Sequence, residues 1–600
     1  MDIKTRDEID LKYKWDLTRL YASDEDWEKE YQSISERAKA FRDREDTLTS
    51  KEVVLDTFRE FTDIILRFNY LASYATLRQS EDASVARYRA MEDRISSLAS
   101  QIAASTAFMV PELLALPEGT LETYMADPDF ADHDRTIRGM IRIKPHSLPK
   151  TEEYLVAMAG DVFSVPSQTA ELLRSLDLKL GSVRNEKGER VPLTDASFVL
   201  FLESEDRRVR RTAFRRMMNG YAAMGNTFAA LYGGVVKEGR FSHMVRHYDS
   251  ARAESMDGDD VPELVYDNLI AAVHEGIGTL GAYLELRRKK IGVPHLHMYD
   301  LYYGNEKGFE IHPDIEEAFA LFLEAVAPLG EDYVRDASRA LTERWIDVYE
   351  NKGKRSGAYS LGSAYGVTPY VMLNHKNNYD GLSTLCHEMG HAMHSFYSNA
   401  AQPYPKADYS IFVAEVASTT NEILLNEYLR KKYRDDRAAQ RALIGNLLEH
   451  FRTTVFRQTM FAEFEHQAHQ LADNGESLTA ELLSETYLEL VKTYYGKACT
   501  VDACVASEWM RIPHFYTPFY VYKYATSFCA SIFLARNILS GDPEKVASYR
   551  RFLTLGDSLP PIEELRIAGV DLSTPEPIAQ ALDYFAELVY EYQTLLNEDE

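Results

Sequence analysis

Two histidines four residues apart constrain the fold and the chemistry of this 600-residue chain more than any other short pattern in it. Residues 387–391 read HEMGH, and apolar residues recur with helical spacing over residues 382–397. On a helix, His387 and His391 lie on one face, one turn apart. Two neutral imidazoles in that geometry can hold one zinc ion, and Glu388 between them can act as a general base on water. The pattern predicts a zinc-dependent hydrolase, most simply a peptidase.

The residues around this pattern bear on the alternative, a buried helix whose histidines are merely hydrogen-bonded. Residues 374–381 (NHKNNYDG) read as a turn, and Asp380 or Ser383 is a candidate cap for the helix that follows. Gly390 lies between the two histidines and has no side chain, so another backbone can pack closely there. A turn, a cap and this glycine favour the metal-site interpretation.

A catalytic zinc site needs a third protein ligand and an open position for water. The three-histidine pattern HExxHxxGxxH fails here, because His394 stands at its glycine position and Tyr397 at its last histidine position. We expect a supporting or core role for His394. Glu415 lies among apolar and small residues, where a carboxylate needs a partner. We therefore predict Glu415 as the third ligand.

Glu422 follows Glu415 by seven residues, two helical turns along the same face. A carboxylate in that position can accept a hydrogen bond from a ligand imidazole and orient it. The alternative for both glutamates is an ordinary helix salt bridge, which fits Glu422 better than Glu415. We predict that Glu422 supports the metal site without binding the metal.

An aromatic segment at residues 511–527 (RIPHFYTPFYVYKYATS) supplies candidate hydrogen-bond donors. Thr517 followed by Pro518 predicts the start of a helix, which would place later tyrosines four apart on one face. Peptide hydrolysis builds negative charge on the former carbonyl oxygen, and phenol or imidazole donors stabilise that charge. An aromatic core helix is the alternative for any single tyrosine. The candidates are His514, Tyr520 and Tyr524 as catalytic donors and Tyr516 as a substrate contact.

Residues 364–374 (AYGVTPYVMLN) precede the metal helix and are rich in strand-forming residues. Zinc peptidases commonly bind a substrate as an added strand on an exposed sheet edge. We predict that this segment forms part of such a wall, and the alternative is a buried strand without substrate contact. A second strand signal at residues 181–192, with a turn at residues 185–188, predicts a β-hairpin.

Long helical patterns cover most of the chain, so the predicted fold class is mainly α with a small β-sheet beside the active-site helix. Six hundred residues exceed one ordinary hydrophobic core, and we expect at least two lobes. The hairpin is interpreted as the end of an N-terminal helical domain, residues 1–200. Residues 201–600 are then the catalytic metallopeptidase domain.

Charge and cysteine content limit the partners and the compartment. The net charge of −27 argues against a nucleic-acid-binding surface. Four cysteines without a paired metal-binding spacing predict reduced thiols and a cytoplasmic location. The N-terminus is charged, so no signal peptide is expected, and the sequence has no run of 18 apolar residues that would predict a membrane span. The oligomeric state stays open between a monomer and a small homo-oligomer.

Three segments together closely resemble the oligoendopeptidase F group of the thimet oligopeptidase family: residues 387–395 (HEMGHAMHS), residues 412–422 (FVAEVASTTNE) and the aromatic segment at residues 511–527. The stretches at residues 15–21 and 205–221 are also similar to that family. The resemblance implies a nearly all-helical, two-lobed ellipsoid with a deep central channel. It also implies one zinc ion at the channel floor and short unfolded peptides as substrates, since folded proteins cannot enter.

By the same resemblance, His387, His391 and Glu415 are the zinc ligands, Glu388 is the general base, and His514 with nearby tyrosines stabilises the oxyanion. The predicted function is therefore a zinc-dependent endopeptidase that cuts oligopeptides internally. One alternative is a zinc exopeptidase on the same scaffold, which needs a group that holds a terminal amine or carboxylate. Another is a non-catalytic peptide-binding helical protein, which needs neither Glu388 nor zinc.

Overall fold

Helices make up most of the protein, which confirms the mainly α fold class. The computed structural model describes residues 3–304 and 309–597. The α-helices of these residues are, in chain order, α1 Asp24–Phe41, α2 Lys51–Glu81, α3 Ala86–Thr106, α4 Met109–Leu114, α5 Thr120–Met125, α6 Asp134–Ile143, α7 Lys150–Phe163, α8 Val165–Leu172, α9 Asp195–Leu202, α10 Arg207–Ala222, α11 Gly225–Val245, α12 Ala251–Gly258, α13 Glu263–Ile291, α14 Ile315–Ala325, α15 Glu331–Thr342, α16 Tyr379–Ala401, α17 Tyr404–Ala407, α18 Ile411–Lys432, α19 Arg437–His450, α20 Arg457–Asp473, α21 Ala480–Tyr495, α22 Tyr522–Leu539, α23 Pro543–Phe552, α24 Pro561–Ala568 and α25 Glu576–Asn597.

The described strands form two small sheets. Strands β1 (Ser182–Arg184) and β2 (Arg190–Pro192) pair antiparallel, which confirms the predicted hairpin. Strands β3 (Ile346–Asp347), β4 (Tyr359–Leu361) and β5 (Tyr370–Met372) form a sheet in the order β3-β5-β4. Strand β3 runs parallel to β5, and β4 runs antiparallel to it.

The position of β5 corrects one expectation. This strand lies within residues 364–374, which we predicted as a wall open to substrate, but it is buried and is hydrogen-bonded to a strand on each side. A central strand has no free edge for a further strand. Strands β3 and β4 are the edge strands of this sheet, and an edge strand can accept a further strand.

Contacts between Cα atoms divide the chain into two compact units, each built from three separate stretches. Unit 1 comprises Met1–Pro145, Glu310–Leu429 and Leu534–Val570, and unit 2 comprises His146–Phe309, Arg430–Phe533 and Asp571–Glu600. The domain boundary predicted at residue 200 stays a prediction. Among the described residues, no helix combines the length and the apolar character needed to cross a membrane.

Unit 1 contains the sheet with β4 and a hydrophobic core between its first three long helices. Helix α2 begins where the Ser50 side chain accepts a hydrogen bond from Val53 N, which satisfies a free N–H of its first turn. Helices α1, α2 and α3 pack against one another. Trp27 is buried in this core, and its indole N–H donates to the carbonyl of Leu71 at 2.9 Å. The same unit contains α16, which packs against α14 and β4.

Unit 2 contains a second core, in which α13 packs along α25 and also contacts α20 and α21. Arg452 is fully buried in this unit, and its guanidinium pairs with Glu449 at 2.8 Å. Arg287 pairs with the same carboxylate at 3.0 Å. Because an unpaired buried charge is costly, the shared carboxylate holds these two cationic side chains in place.

Candidate metal centre

Helix α16 carries the two histidines, and its start is fixed by Asn378. The Asn378 side chain accepts a hydrogen bond from Gly381 N at 2.9 Å, so this residue is the cap, in place of the predicted Asp380 or Ser383. A Cβ atom at Gly381 would lie 2.0 Å from the carbonyl oxygen of Lys376. Glycine is therefore the residue that lets the preceding turn pack against the first turn of the helix.

Helices α16 and α18 approach each other at Gly390. A Cβ atom at this position would lie 2.4 Å from Cα of Ser418 and 2.8 Å from the carbonyl oxygen of Ala417. Both are backbone atoms of α18, so the close backbone approach expected at Gly390 is confirmed. The contact brings the histidines of α16 beside the glutamates of α18.

His387, His391 and Glu415 form a group that could hold a metal ion, and their ligand atoms all lie within 4.8 Å of one another. Glu415 Oε2 lies 3.4 Å from Nε2 of His387 and 3.6 Å from Nε2 of His391. Two atoms that are each about 2.0–2.1 Å from a tetrahedral zinc ion are about 3.3–3.4 Å apart. These residues therefore fit a zinc ion, and the set of two imidazoles and one carboxylate is typical of catalytic sites with an open fourth position.

Two neighbouring side chains orient the ligands. Nδ1 of His387 lies 2.6 Å from Glu422 Oε1, and this hydrogen bond leaves Nε2 directed at Glu415. The Ser418 hydroxyl donates to Glu415 Oε2 at 3.2 Å. Glu422 thus contacts the imidazole at the position that the sequence predicted for a supporting acceptor.

The pKa values of His387 and Glu415 are shifted in the directions that favour a positive charge beside the Glu415 carboxylate. Burial lowers the pKa of His387, but its hydrogen bonds to Glu415 and Glu422 outweigh burial and raise that pKa to about 10. Hydrogen bonds from His387 and His391 hold the pKa of Glu415 far below its usual range. A metal ion competes with these protons for the imidazole nitrogens, so metal binding here releases protons.

Glu388 lies between the two histidines in the sequence of α16, and it is buried, with 7% of its surface exposed. Burial raises the pKa of its carboxyl, and the neighbouring His387 and His391 partly offset that increase. A buried carboxylate with a raised pKa is a stronger base than one in water.

His394 packs in the core, as expected. Its ring stacks on Tyr409 with centroids 3.7 Å apart, and burial lowers its pKa to about 3. It is neutral near pH 7, and it does not belong to the group of possible ligands found among the described residues.

The ligands open into a cavity of about 620 Å³, which we call the metal cavity. Glu388 lines it together with both histidines, and so do all three residues of β4. An edge strand therefore runs along the cavity that contains the possible ligands and the candidate base. Sequence reasoning expected an exposed edge in residues 364–374, but β5 within them is central, because alternation and composition show a strand but not its place in a sheet.

The aromatic segment lies in unit 2, and its local structure differs from the prediction. Pro513–Tyr516 forms a short 3-10 helix, and α22 begins only at Tyr522, so Thr517 is not a helix cap. The backbone of Phe519 adopts a φ of 56°, a left-handed conformation that interrupts any helix before Tyr522.

The predicted donors nevertheless lie together. The rings of Tyr520 and Tyr524 have centroids 5.4 Å apart, and the ring of His514 lies 6.2 Å from Tyr520 and 5.8 Å from Tyr524. The Tyr524 hydroxyl is 3.5 Å from Nε2 of His514. Burial lowers the pKa of His514, which favours its neutral form.

Tyr516 lies apart from this group of three. Its hydroxyl is buried, with no hydrogen-bond partner among the described residues, and the Arg174 guanidinium lies 5.0 Å from its ring centroid. Burial raises the pKa of its phenol to about 12. Its role as a substrate contact stays a prediction.

Sequence reasoning missed several residues that line the metal cavity, among them Ser395, Asp408 and Tyr409. Ser395 follows His391 by one helical turn, which was a usable signal. Asp408 and Tyr409 lie between α17 and α18, and their position depends on how the chain reverses between two helices. No local pattern shows that reversal.

Comparison with family models gives two matches. Residues 200–584 match the model of peptidase family M3, and residues 112–179 match a model described as oligopeptidase F. The first match contains both histidines of α16, Glu415 and the aromatic segment.

Known relatives agree with these matches over nearly the whole chain. Oligopeptidase PepF of Bacillus subtilis is 40% identical, with 98% of this chain and 88% of the relative covered. Group B oligopeptidase PepB of Streptococcus agalactiae is 38% identical, with 98% of each covered. The crystal structure of oligoendopeptidase-F from Enterococcus faecium has a TM-score of 0.75 at 32% identity, over 96% of this chain and 99% of that one. The resemblance to oligoendopeptidase F is thereby confirmed, and the chain belongs to peptidase family M3.

Proposed function

We propose that this peptidase is a zinc-dependent endopeptidase that hydrolyses internal bonds of short, unfolded oligopeptides. The observation that carries the proposal is the convergence of His387, His391 and Glu415 beside the buried Glu388, in a cavity bordered by an edge strand. The printed names of the relatives, oligopeptidase and oligoendopeptidase, support the substrate class and the internal cut. One zinc ion and peptide substrates are the only partners that the proposal requires.

In this proposal His387, His391 and Glu415 hold the zinc ion, and Glu422 orients the imidazole of His387. The chemistry that zinc supplies when bound is polarisation of the scissile carbonyl and activation of a water molecule. Glu415 balances part of the ion's charge as a carboxylate, and its hydrogen bonds with the two histidines hold the pKa of that group far below its usual range. The imidazoles bind as neutral groups.

Glu388 acts as the general base. Its carboxylate accepts a proton from the attacking water and passes that proton to the nitrogen of the departing amine. Burial of the carboxylate supports this role, because a raised pKa brings the base closer to the pH at which the reaction runs. Proton transfer by one residue in both directions leaves the enzyme unchanged after each turnover.

Strand β4 holds the substrate backbone. Its free edge offers N–H and C=O groups to an extended peptide, and Tyr359, Ser360 and Leu361 all line the metal cavity. Pairing through the backbone accepts many sequences and requires an unfolded substrate. This supports oligopeptides over folded proteins as the substrate class.

His514, Tyr520 and Tyr524 are assigned the donor role for the oxyanion. Two phenols and a neutral imidazole offer N–H and O–H groups that need no counter-charge of their own. Their rings form one cluster in unit 2, so the three donors act as a group whose members position one another.

The test combines metal analysis with product analysis. The purified protein is expected to contain one zinc ion per chain, and to cut peptides that are blocked at both termini. Mass spectrometry of the products identifies internal cleavage, and a chelator should abolish it. Cleavage confined to peptides with a free terminus would instead support an exopeptidase, and the absence of zinc and of cleavage would support a non-catalytic binding protein.

The variant Glu388→Gln tests the base. We expect it to keep its zinc and to lose at least about a thousand-fold in kcat, because the proton transfer is lost while the ligands remain. Glu331→Gln, an exposed glutamate at the start of α15, is the matched control and should retain wild-type kcat. A turnover of Glu388→Gln near that of the control would rule out the assignment.

A further inference from the structure

A second cavity, of about 410 Å³, adjoins the metal cavity in unit 1. We call it the side cavity. Its volume falls within the range of about 300–1,000 Å³ that is common for ligand sites. The two cavities share a rim, formed by Gly362, Ser363, Ser395, Asp408 and Tyr409.

The shared rim lies next to the metal ligands. The Tyr409 hydroxyl lies 2.9 Å from Ser395 Oγ and 3.4 Å from the carbonyl oxygen of His391. A Cβ atom at Gly362 would lie 2.1 Å from Ser395 Oγ, so the chain that follows β4 packs directly on α16 at this point. A peptide lying along β4 therefore passes the opening of the side cavity.

The far walls of the side cavity are mostly apolar. Helix α2 contributes Phe61 and Ile65, α4 contributes Met109 and Val110, and α6 contributes Met140. Thr62 of α2 also lines the cavity. Aromatic and aliphatic side chains gain free energy when they leave water for such a surface, and a cavity of this volume accommodates one large side chain.

The lining of the side cavity offers no cationic partner to an acidic side chain. Its lining residues include Asp408 and neither lysine nor arginine. The Asp408 carboxylate accepts a hydrogen bond from Tyr409 N at 2.9 Å and forms no ion pair among the residues that the structure describes. A glutamate side chain entering here would find no lysine or arginine to pair with, and its own charge would be poorly solvated.

We propose that the side cavity is a specificity subsite, which takes one large apolar side chain, aromatic or aliphatic, of the peptide bound along β4. The proposal rests on the proposed peptidase function and adds a sequence preference to it. The subsite favours peptides with a large apolar residue near the scissile bond and disfavours peptides with an acidic residue at that position.

The first test uses end-blocked peptides that differ at one position near the cleaved bond, with Phe, Leu, Ala or Glu in an otherwise constant sequence of Gly and Ala residues. We expect kcat/KM for the Phe and Leu peptides to exceed that for the Ala peptide by about ten- to a hundred-fold, and the Glu peptide to be the poorest. Each flanking position is tested in turn, and a Phe-to-Ala ratio near one at every position would overturn the proposal.

Two variants test whether the preference for large apolar side chains arises in the side cavity. Thr62→Trp fills it from α2, and Thr106→Trp fills it from the end of α3, since both threonines line it. Each should reduce the Phe-to-Ala ratio towards one. Thr76→Trp is the matched control, because Thr76 lies on the same helix as Thr62 and lines neither cavity. An unchanged ratio in both filled variants would show that the preference arises elsewhere and would overturn the proposal.

Binding to Glu388→Gln separates this proposal from the proposed function. The zinc-loaded variant is titrated with the fluorescently labelled Phe and Ala peptides, and the Phe peptide should bind at least about ten-fold more tightly. If the wild-type protein cuts no peptide but this difference is present, the peptidase proposal fails and the subsite stands. If peptides are cut but the two bind equally, the subsite fails and the peptidase proposal stands.

Discussion

Glu422 decides which nitrogen of His387 faces the other ligands. Its hydrogen bond to Nδ1 fixes the ring, and Nε2 then points at Glu415. Such positioning lowers the entropic cost of metal binding.

Among the proposed donors, Tyr520 is the one whose removal is most informative. The variant Tyr520→Phe keeps the ring contacts with His514 and Tyr524 and deletes only the hydroxyl. We expect kcat to fall by about ten- to a thousand-fold with little change in KM, because the hydrogen bond forms mainly in the transition state. Steady-state kinetics on a blocked peptide measure both constants.

The control for this variant is Tyr590→Phe, which removes the hydroxyl of a tyrosine that is 73% exposed. It should leave both constants unchanged. A rise in KM with unchanged kcat in Tyr520→Phe would make Tyr520 a binding residue and would contradict the donor assignment.

Glu465 is a buried carboxyl whose protonation links stability to pH. Burial raises its pKa to about 8, partly offset by the hydrogen bond from Phe519 N. Between the unfolded value near 4.5 and about 8 the folded protein binds the extra proton. The contribution of Glu465 to the free energy of unfolding therefore falls as the pH rises from about 4.5 to about 8, by up to about 1.4 kcal/mol per pH unit.

The variant Glu465→Gln stays neutral at every pH. We expect its Tm to fall less than that of the wild-type protein between pH 5.5 and pH 8, because no buried group has to ionise. Thermal unfolding at the two pH values measures the difference. Glu476→Gln, at an exposed position just after α20, should behave like the wild-type protein. Parallel Tm values for wild type and Glu465→Gln would contradict the raised pKa.

At the scale of elements, the contact between α16 and α18 depends on Gly390. Adding one methyl group there places it 2.4 Å from a backbone atom of α18, which no side-chain rotation can relieve. We expect Gly390→Ala to separate the helices, lower zinc affinity by at least about ten-fold and destabilise unit 1 by roughly 1–3 kcal/mol. Zinc titration and thermal unfolding measure the two effects.

Gly278→Ala is the control for this substitution. Gly278 also lies inside a helix, α13, but a Cβ atom there meets no other atom within 4 Å. Alanine at Gly278 should be neutral or slightly stabilising, because it favours the helix over glycine. Normal zinc affinity in Gly390→Ala would show that the ligands do not depend on the close approach.

The sequence predicts the elements of the metal centre unevenly. Helix α16 was predictable because a 3.6-residue apolar period is local, and the spacing of the histidines then places both on one face. The start of α22 could not be predicted, because Phe519 takes a left-handed conformation while its N–H donates to Glu465, which is distant in the sequence. The edge position of β4 could not be predicted either, since the order of strands in a sheet depends on contacts between residues far apart in the sequence.

For the whole molecule, each unit consists of three stretches that are far apart in the chain. A sequence reading divides a chain where its composition changes, so it finds contiguous segments such as residues 1–200. It does not show which distant segments pack into one core. The proximity of His387, His391 and Glu415 was easier to predict than the packing of distant segments, because a metal site restricts residue types at fixed spacings.

The division into units makes a prediction about metal removal. The proposed ligands all lie in unit 1, on α16 and on the part of α18 before residue 430. A zinc ion that binds only the folded site stabilises that region by about 2.7 kcal/mol at a free concentration of 100 times Kd. Chelation should therefore reduce hydrogen-exchange protection up to about a hundred-fold in residues 379–401 and 411–429.

Helices α13 and α25, which pack in the core of unit 2, should keep their protection. Equal losses in both units would mean that the ion stabilises the whole chain as one cooperative body.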